Sequence, residues 1–67
     1  MKRLKKVYFI KEVVIDMDGE DLFFVTELER EDVNDLGADE VGVLIVSESD
    51  RGYIVPWSNV ASCEVVL

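Results

Sequence analysis

Four carboxylates crowd one short stretch of this chain, Asp16, Asp18, Glu20 and Asp21, with Gly19 among them. Clustered carboxylate oxygens are the ligands a calcium ion takes, so this stretch is the first candidate for chemistry. The helix–loop–helix calcium pattern needs glycine at its sixth loop position; Gly19 comes too early, and strand-like sequence flanks it. A second near-match has Asp32, Asn34 and Gly37 in the first, third and sixth places. It then puts Leu36 at a ligand position and Val43 where a bidentate glutamate belongs. Solvated turns account for both stretches, and the expectation is no metal and no cofactor.

Nucleophilic catalysis needs a base beside a serine or cysteine, and the chain has no histidine. Cys63 alternates with valines near the end of the sequence and reads as a small core hydrophobe, not a reactive thiol. Paired carboxylates for acid–base work are abundant, but so small a chain has little room for a pocket that would shift their pKa values. The expectation is therefore no catalytic residue and no enzyme. What remains is recognition: Trp57 and Tyr53, with Arg51 beside them, are residue types favoured at contact hot spots. Trp57 has two readings, as a plug at one end of a core or as an exposed anchor after Pro56.

The elements that must position these residues read as strands. From Lys5 to Met17, valine, isoleucine and aromatics dominate. Val7 and Phe9 share a face that Val13, Ile15 and Met17 continue, with a bulge or bend expected at Lys11–Glu12. Gly19 supplies a turn, and Asp21–Glu29 is the second strand of a hairpin. Arg30–Glu40 is polar and reads as a loop, with at most one helical turn at Val33–Leu36 stopping at Gly37. Val41–Ser49 is a third strand, apolar on both sides from Val43 to Val46. Glu48–Gly52 turns the chain into a fourth strand that ends at Pro56. Ser58–Ala61 reads as a 3₁₀ turn and Ser62–Leu67 as a short fifth strand.

Five strands with a 3₁₀ turn before the last resemble an SH3-like barrel. The stretch Gly52, Tyr53, Ile54, Val55, Pro56, Trp57, Ser58, Asn59, Val60 is similar to that family's glycine, two apolar residues, then Pro-Ser-Asn-Tyr-Val. It departs in placing Trp57 between Pro56 and Ser58 and in having no tyrosine after Asn59. Glu20–Phe24 loosely resembles the family's acidic-leucine-phenylalanine segment. The aromatic motif and the tryptophan pair that line the peptide groove are absent, so polyproline binding is not implied. What the resemblance implies is an all-β fold, a small five-stranded barrel in a single domain over residues 1–67. An Sm-like barrel is the rival and would begin with a helix.

Charge and cysteine content narrow the setting. Net charge is −8, with five of seven basic residues before Glu12 and fourteen of fifteen acids between Glu12 and Asp50. Phosphate contacts need clustered Lys and Arg, so direct nucleic-acid binding is not expected; a negative face attracts basic partners instead. One cysteine and no disulfide framework fit a reducing, cytoplasmic setting. Charged residues interrupt any leader-like run, and no stretch reaches the ~18 apolar residues of a membrane span, so no membrane role is expected.

The strongest signal is surplus. Apolar residues make up 49% of the chain despite 33% charged residues. Strict alternation would leave half of each strand polar. Here Tyr8, Ile10 and Val14 oppose Phe9 and Val13, and the same conflict recurs at Phe23/Phe24 and Leu44/Ile45. A chain of 67 residues also sits near the lower limit of independent stability. The expectation is a protein–protein interaction module that is a homo-oligomer or a subunit of an assembly. Its expected contact residues are Phe23, Val43, Leu44, Ile45, Val46, Arg51, Tyr53 and Trp57. The alternative is an acidic inhibitor whose carboxylates imitate nucleic-acid phosphates.

Overall fold

β-Branched and aromatic residues form strands through most of the chain. A computed structural model describes residues 2–67 as all-β, with six strands: β1 (Lys2–Asp16), β2 (Leu22–Glu29), β3 (Asp35–Ala38), β4 (Gly42–Val46), β5 (Gly52–Pro56) and β6 (Val60–Val65). Two 3₁₀ turns, Arg30–Asp32 and Trp57–Asn59, punctuate them. All pairings are antiparallel. The order is β2-β1-β3-β4-β5, with β6 paired to β1. No helix among the described residues is long and apolar enough to cross a membrane.

The expected five-stranded closed barrel is corrected in two respects. There are six strands, and the sheet is open: β2 pairs only with β1, and β5 only with β4. The unforeseen strand is β3, inside the segment read as a loop. It has only four residues, too few to show a period, and Leu36 and Ala38 alternate inward against Asp35 and Gly37. Gly37 is a strand residue facing Leu44, not a helix stop. The single helical turn forms earlier, at Arg30–Asp32, where the Asp32 carboxylate accepts the Glu29 N–H at 3.2 Å.

β1 is long enough to serve three neighbours. Lys2–Arg3 pair with β3, Leu4–Phe9 with β6, and Lys6–Asp16 with β2. The β2 register jumps between Tyr8 and Val13, which is the bulge expected at Lys11–Glu12. There the Asn59 side chain ties down the strand, accepting the Lys11 N–H at 2.8 Å and donating to the Lys11 carbonyl at 3.1 Å. The jump also changes which face of β2 looks inward. Leu28 opposes Val7, and Val25 opposes Val13, so both turn to the core although they are three residues apart.

The core is built from Leu4, Val7, Phe9 and Ile15 of β1, Leu28, Val33, Leu36, Val43, Ile45 and Val55. Gly42 marks a close approach of β4 to β5: a Cβ there would collide with the Val55 carbonyl oxygen. The β4–β5 turn closes through Ser47 N–H to Arg51 O at 2.9 Å, with Asp50 in the left-handed region at φ 62°, which Asp enters more readily than most residues; its Oδ1 accepts from Asn34 Nδ2 at 3.2 Å.

Candidate functional site

The β1–β2 turn is where the four clustered acids fall. Asp16 Oδ1 accepts the Gly19 N–H at 2.7 Å, and Asp18 Oδ1 accepts those of Glu20 and Asp21 at 2.9 and 3.1 Å. Gly19 has φ 86°, the conformation glycine reaches at least cost. The N–H groups of Asp21 and Glu20 hold the Asp18 carboxyl below its ordinary value. Two of the four acids therefore shape the turn. Among the described residues no three His, Cys, Asp or Glu side chains gather as a metal would require.

Asp16 also joins two parts of the molecule. Its N–H donates to the Tyr53 hydroxyl at 2.9 Å, its carbonyl accepts from Ser49 Oγ at 3.0 Å, and its Oδ2 pairs with Arg51 Nε at 3.0 Å. Side chains of the β4–β5 turn thus reach the hairpin where a closed barrel would have a strand ladder. Tyr53 and Arg51, expected as contact residues, are committed to this joint, although Arg51 stays largely exposed.

Beyond the joint, the outer side of the hairpin is apolar and uncovered. Val14 faces Phe24 across the ladder, and Leu22 is two residues further along β2 on the same side. Phe24 is 62% exposed, Leu22 63% and Val14 44%; Ile10, at the bulge, is 62% exposed. Phe23 faces the fully buried Ile15 on the inner side, yet remains 42% exposed. The outer edge of β2 carries no partner strand. Its two halves differ. Around Leu28, Glu27 and Glu29 both pair with Lys6, at 3.6 and 3.5 Å. The Tyr8 hydroxyl and these carboxylates hold the Lys6 ammonium above its usual pKa. Leu22–Val25 has no charged residue at all, and charges are how natural edge strands are protected.

The other expected contact residues scatter. Val43 and Ile45 are fully buried, so they belong to the core and not to a surface; Leu44 and Val46 point the other way and are half-buried. The double-sided apolar run was legible, but which members faced out was not. Trp57 is neither a plug nor a free anchor. It is 39% exposed, and its indole Nε1–H donates to the Asp39 carbonyl at 2.9 Å. It walls an open groove of about 560 Å³ with Leu4, Ala38, Cys63 and Val65. This groove lies where β6 and the β3–β4 turn fail to meet. Hence Cys63, expected in the core, is exposed. Three of the five Arg30–Glu40 acids serve the backbone: Asp32 accepts from the Glu29 N–H, Asp35 Oδ1 from the Leu36 N–H at 3.0 Å, and Asp39 Oδ1 from the Val41 and Gly42 N–H groups; Asp35 also pairs with Arg30 at 3.7 Å.

The exposed Ile10, Val14, Leu22 and Phe24 lie outside the expected contact set; the parity conflicts along the first strand and at Phe23/Phe24 are the sequence signal for Ile10, Val14 and Phe24, and Leu22 has none. No family model, no curated protein and no solved structure matches this chain.

Proposed function

We propose that this chain is a non-enzymatic protein–protein interaction module, working as a homo-oligomer or as a subunit of a larger assembly, through the outer side of the β1–β2 hairpin. The observation that carries this reading is the coincidence of four exposed apolar side chains, Ile10, Val14, Leu22 and Phe24, with an unpaired and uncharged strand edge. Monomers seldom leave such patches contiguous beyond a few hundred Å², and each apolar side chain covered by a partner adds roughly 1.5–3 kcal/mol. Kinship with SH3-like modules is supported by one trait, the 3₁₀ turn Trp57–Asn59 ahead of the last strand; the proposal does not depend on it.

Sedimentation velocity of the chain across a wide concentration range, with binding partners captured in parallel on immobilised protein, tests the reading. Phe24→Ser and Leu22→Ser should leave the fold intact and abolish whichever association is seen. An unchanged association in both variants would place the contact elsewhere.

A further inference from the structure

Resting on that reading, we infer that the occupant of the hairpin face is a basic, extended segment of another protein, which adds as a strand to the Leu22–Val25 edge of β2. Three observations converge on it. The edge offers unpaired backbone groups to an incoming strand. The side chains next to that edge, Leu22, Phe24 and Val14, make an apolar strip that suits alternate residues of an extended chain. The strip is bordered by acids: Glu20 and Asp21 at the turn, and Glu12, which falls between Ile10 and Val14 in the alternation, are all exposed. None of the ion pairs among the described residues involves these three.

That border decides between a second copy and a different partner. A two-fold pairing of β2 edges would set the Glu12, Glu20 and Asp21 carboxylates of two copies, each of net charge −8, against one another. Like charges brought within a Debye length, about 8 Å at physiological ionic strength, oppose such a pairing. A strand with apolar residues at alternate positions, and Lys or Arg on that same face just beyond them, meets the same border favourably: its apolar side chains lie on Leu22 and Phe24 and its flanking cations reach the acids. The Lys6–Glu27–Glu29 cluster ends the receptive stretch, because there the acids already have a cation.

The experiment uses the intact chain and two synthetic peptides, Lys-Thr-Val-Thr-Val-Thr-Lys, whose valines and lysines share one face of a strand, and its counterpart with Glu in place of both Lys. Binding is read by fluorescence anisotropy and located by amide hydrogen exchange. The lysine peptide should bind and slow exchange at Leu22–Val25, and its Kd should rise at least tenfold between 50 and 500 mM salt, as expected for a charge-bordered contact. Phe24→Ser should weaken it tenfold or more. Changing Glu12, Glu20 and Asp21 together to their amides should weaken it to a similar degree and flatten the salt dependence. Leu22→Ser, with circular dichroism melts of every variant, guards against a folding artefact. Equal binding of both peptides, protection confined to residues outside β2, or a Kd indifferent to Phe24→Ser would overturn the inference. A Phe24-dependent dimer that tightens with salt would overturn it too, while leaving the interaction reading standing. Loss of neither association nor peptide binding in Phe24→Ser and Leu22→Ser would remove both.

Discussion

The β3–β4–β5 meander and the distal β1–β2 hairpin are made of the same kinds of residue and put them to opposite ends. In the meander the inward set is Leu36, Val43, Ile45 and Val55, each between 0 and 4% exposed. In the hairpin Val14, Leu22 and Phe24 lie open, although they are as apolar as their counterparts. The difference is what stands opposite. The meander's inner face packs on β1 and Leu28, whereas the hairpin's outer side has nothing over it. The surplus is therefore largest in the hairpin, which groups four such side chains, although Val41 and Ile54 of the meander and Val65 of β6 are exposed as well.

If the comparison holds, substitutions of equal size should have very unequal effects. Ile45→Ala and Leu36→Ala each delete fully buried side chains and should cost about 2–5 kcal/mol, enough to unfold much of a domain this small. Phe24→Ser should change stability by about 0.5 kcal/mol or less, because that side chain is already in water. Urea unfolding followed by Tyr and Trp fluorescence would measure all three. Comparable losses at Ile45 and Phe24 would mean that the hairpin face is covered in solution, by association or by a rearranged sheet.

Gly42→Ala probes the meander from its backbone. The new methyl would collide with the Val55 carbonyl oxygen and Pro56 Cα, both main-chain atoms that cannot rotate away. A loss of about 1–3 kcal/mol is the usual scale for overpacking, and this site should reach its upper end. Gly52→Ala is the matched control, since nothing lies within 4 Å of a Cβ there. Similar behaviour of the two variants would show that β4 and β5 are less tightly paired than their register implies.

Tyr53→Phe tests the joint between the two regions. It removes the hydroxyl that accepts the Asp16 N–H, and an unmade bond of this type costs about 1 kcal/mol. Amide exchange at Asp16 should quicken while the meander's amides stay protected. Exchange that quickens throughout would make hairpin and meander one cooperative unit, and would blunt the contrast between them.

The sequence displays the hairpin, its glycine turn, the bulge and the 3₁₀ turn before the last strand, because each has a local signal: Gly19, the charged pair Lys11–Glu12, and Pro56 at the end of β5. It displays the surplus as well. It does not reveal which apolar residues are left over. Leu22, Phe24 and Leu28 share parity, yet the first two are exposed and Leu28 is buried. Their fates part at a register jump set by β1, a long-range event that no window of β2 contains. β3 stayed hidden for a related reason: four residues show no period, and its existence depends on β4 and the start of β1 lying beside it. Cys63 and Trp57 depend on whether the sheet closes, a global property of six strands. The Asp16–Asp21 acids looked like ligands because charge density is visible in sequence, whereas the N–H groups they bind are not.

The smallest effect concerns the hairpin's tip, whose order comes from polar contacts where the meander's comes from packing. Asp18 receives two backbone N–H groups, and its pKa in the folded chain lies below the ordinary 3.8. A depressed carboxyl contributes stability that is fully present above the unfolded value and is lost as pH falls through the folded one. The Asp18 contribution should thus be constant from neutral pH down to about 5, begin to fade as pH approaches 3.8, and be lost below it. Asp18→Asn keeps an acceptor oxygen but cannot titrate. The difference in Tm between the natural chain and this variant should be level from pH 7 to pH 5 and should shrink below pH 3.8, even as both proteins lose stability to their other acids. A difference that stays constant down to pH 2 would mean that the charge on Asp18 plays no part in closing the turn. The hairpin's tip would then owe its shape to Gly19 and to side-chain acceptor oxygens, charged or not.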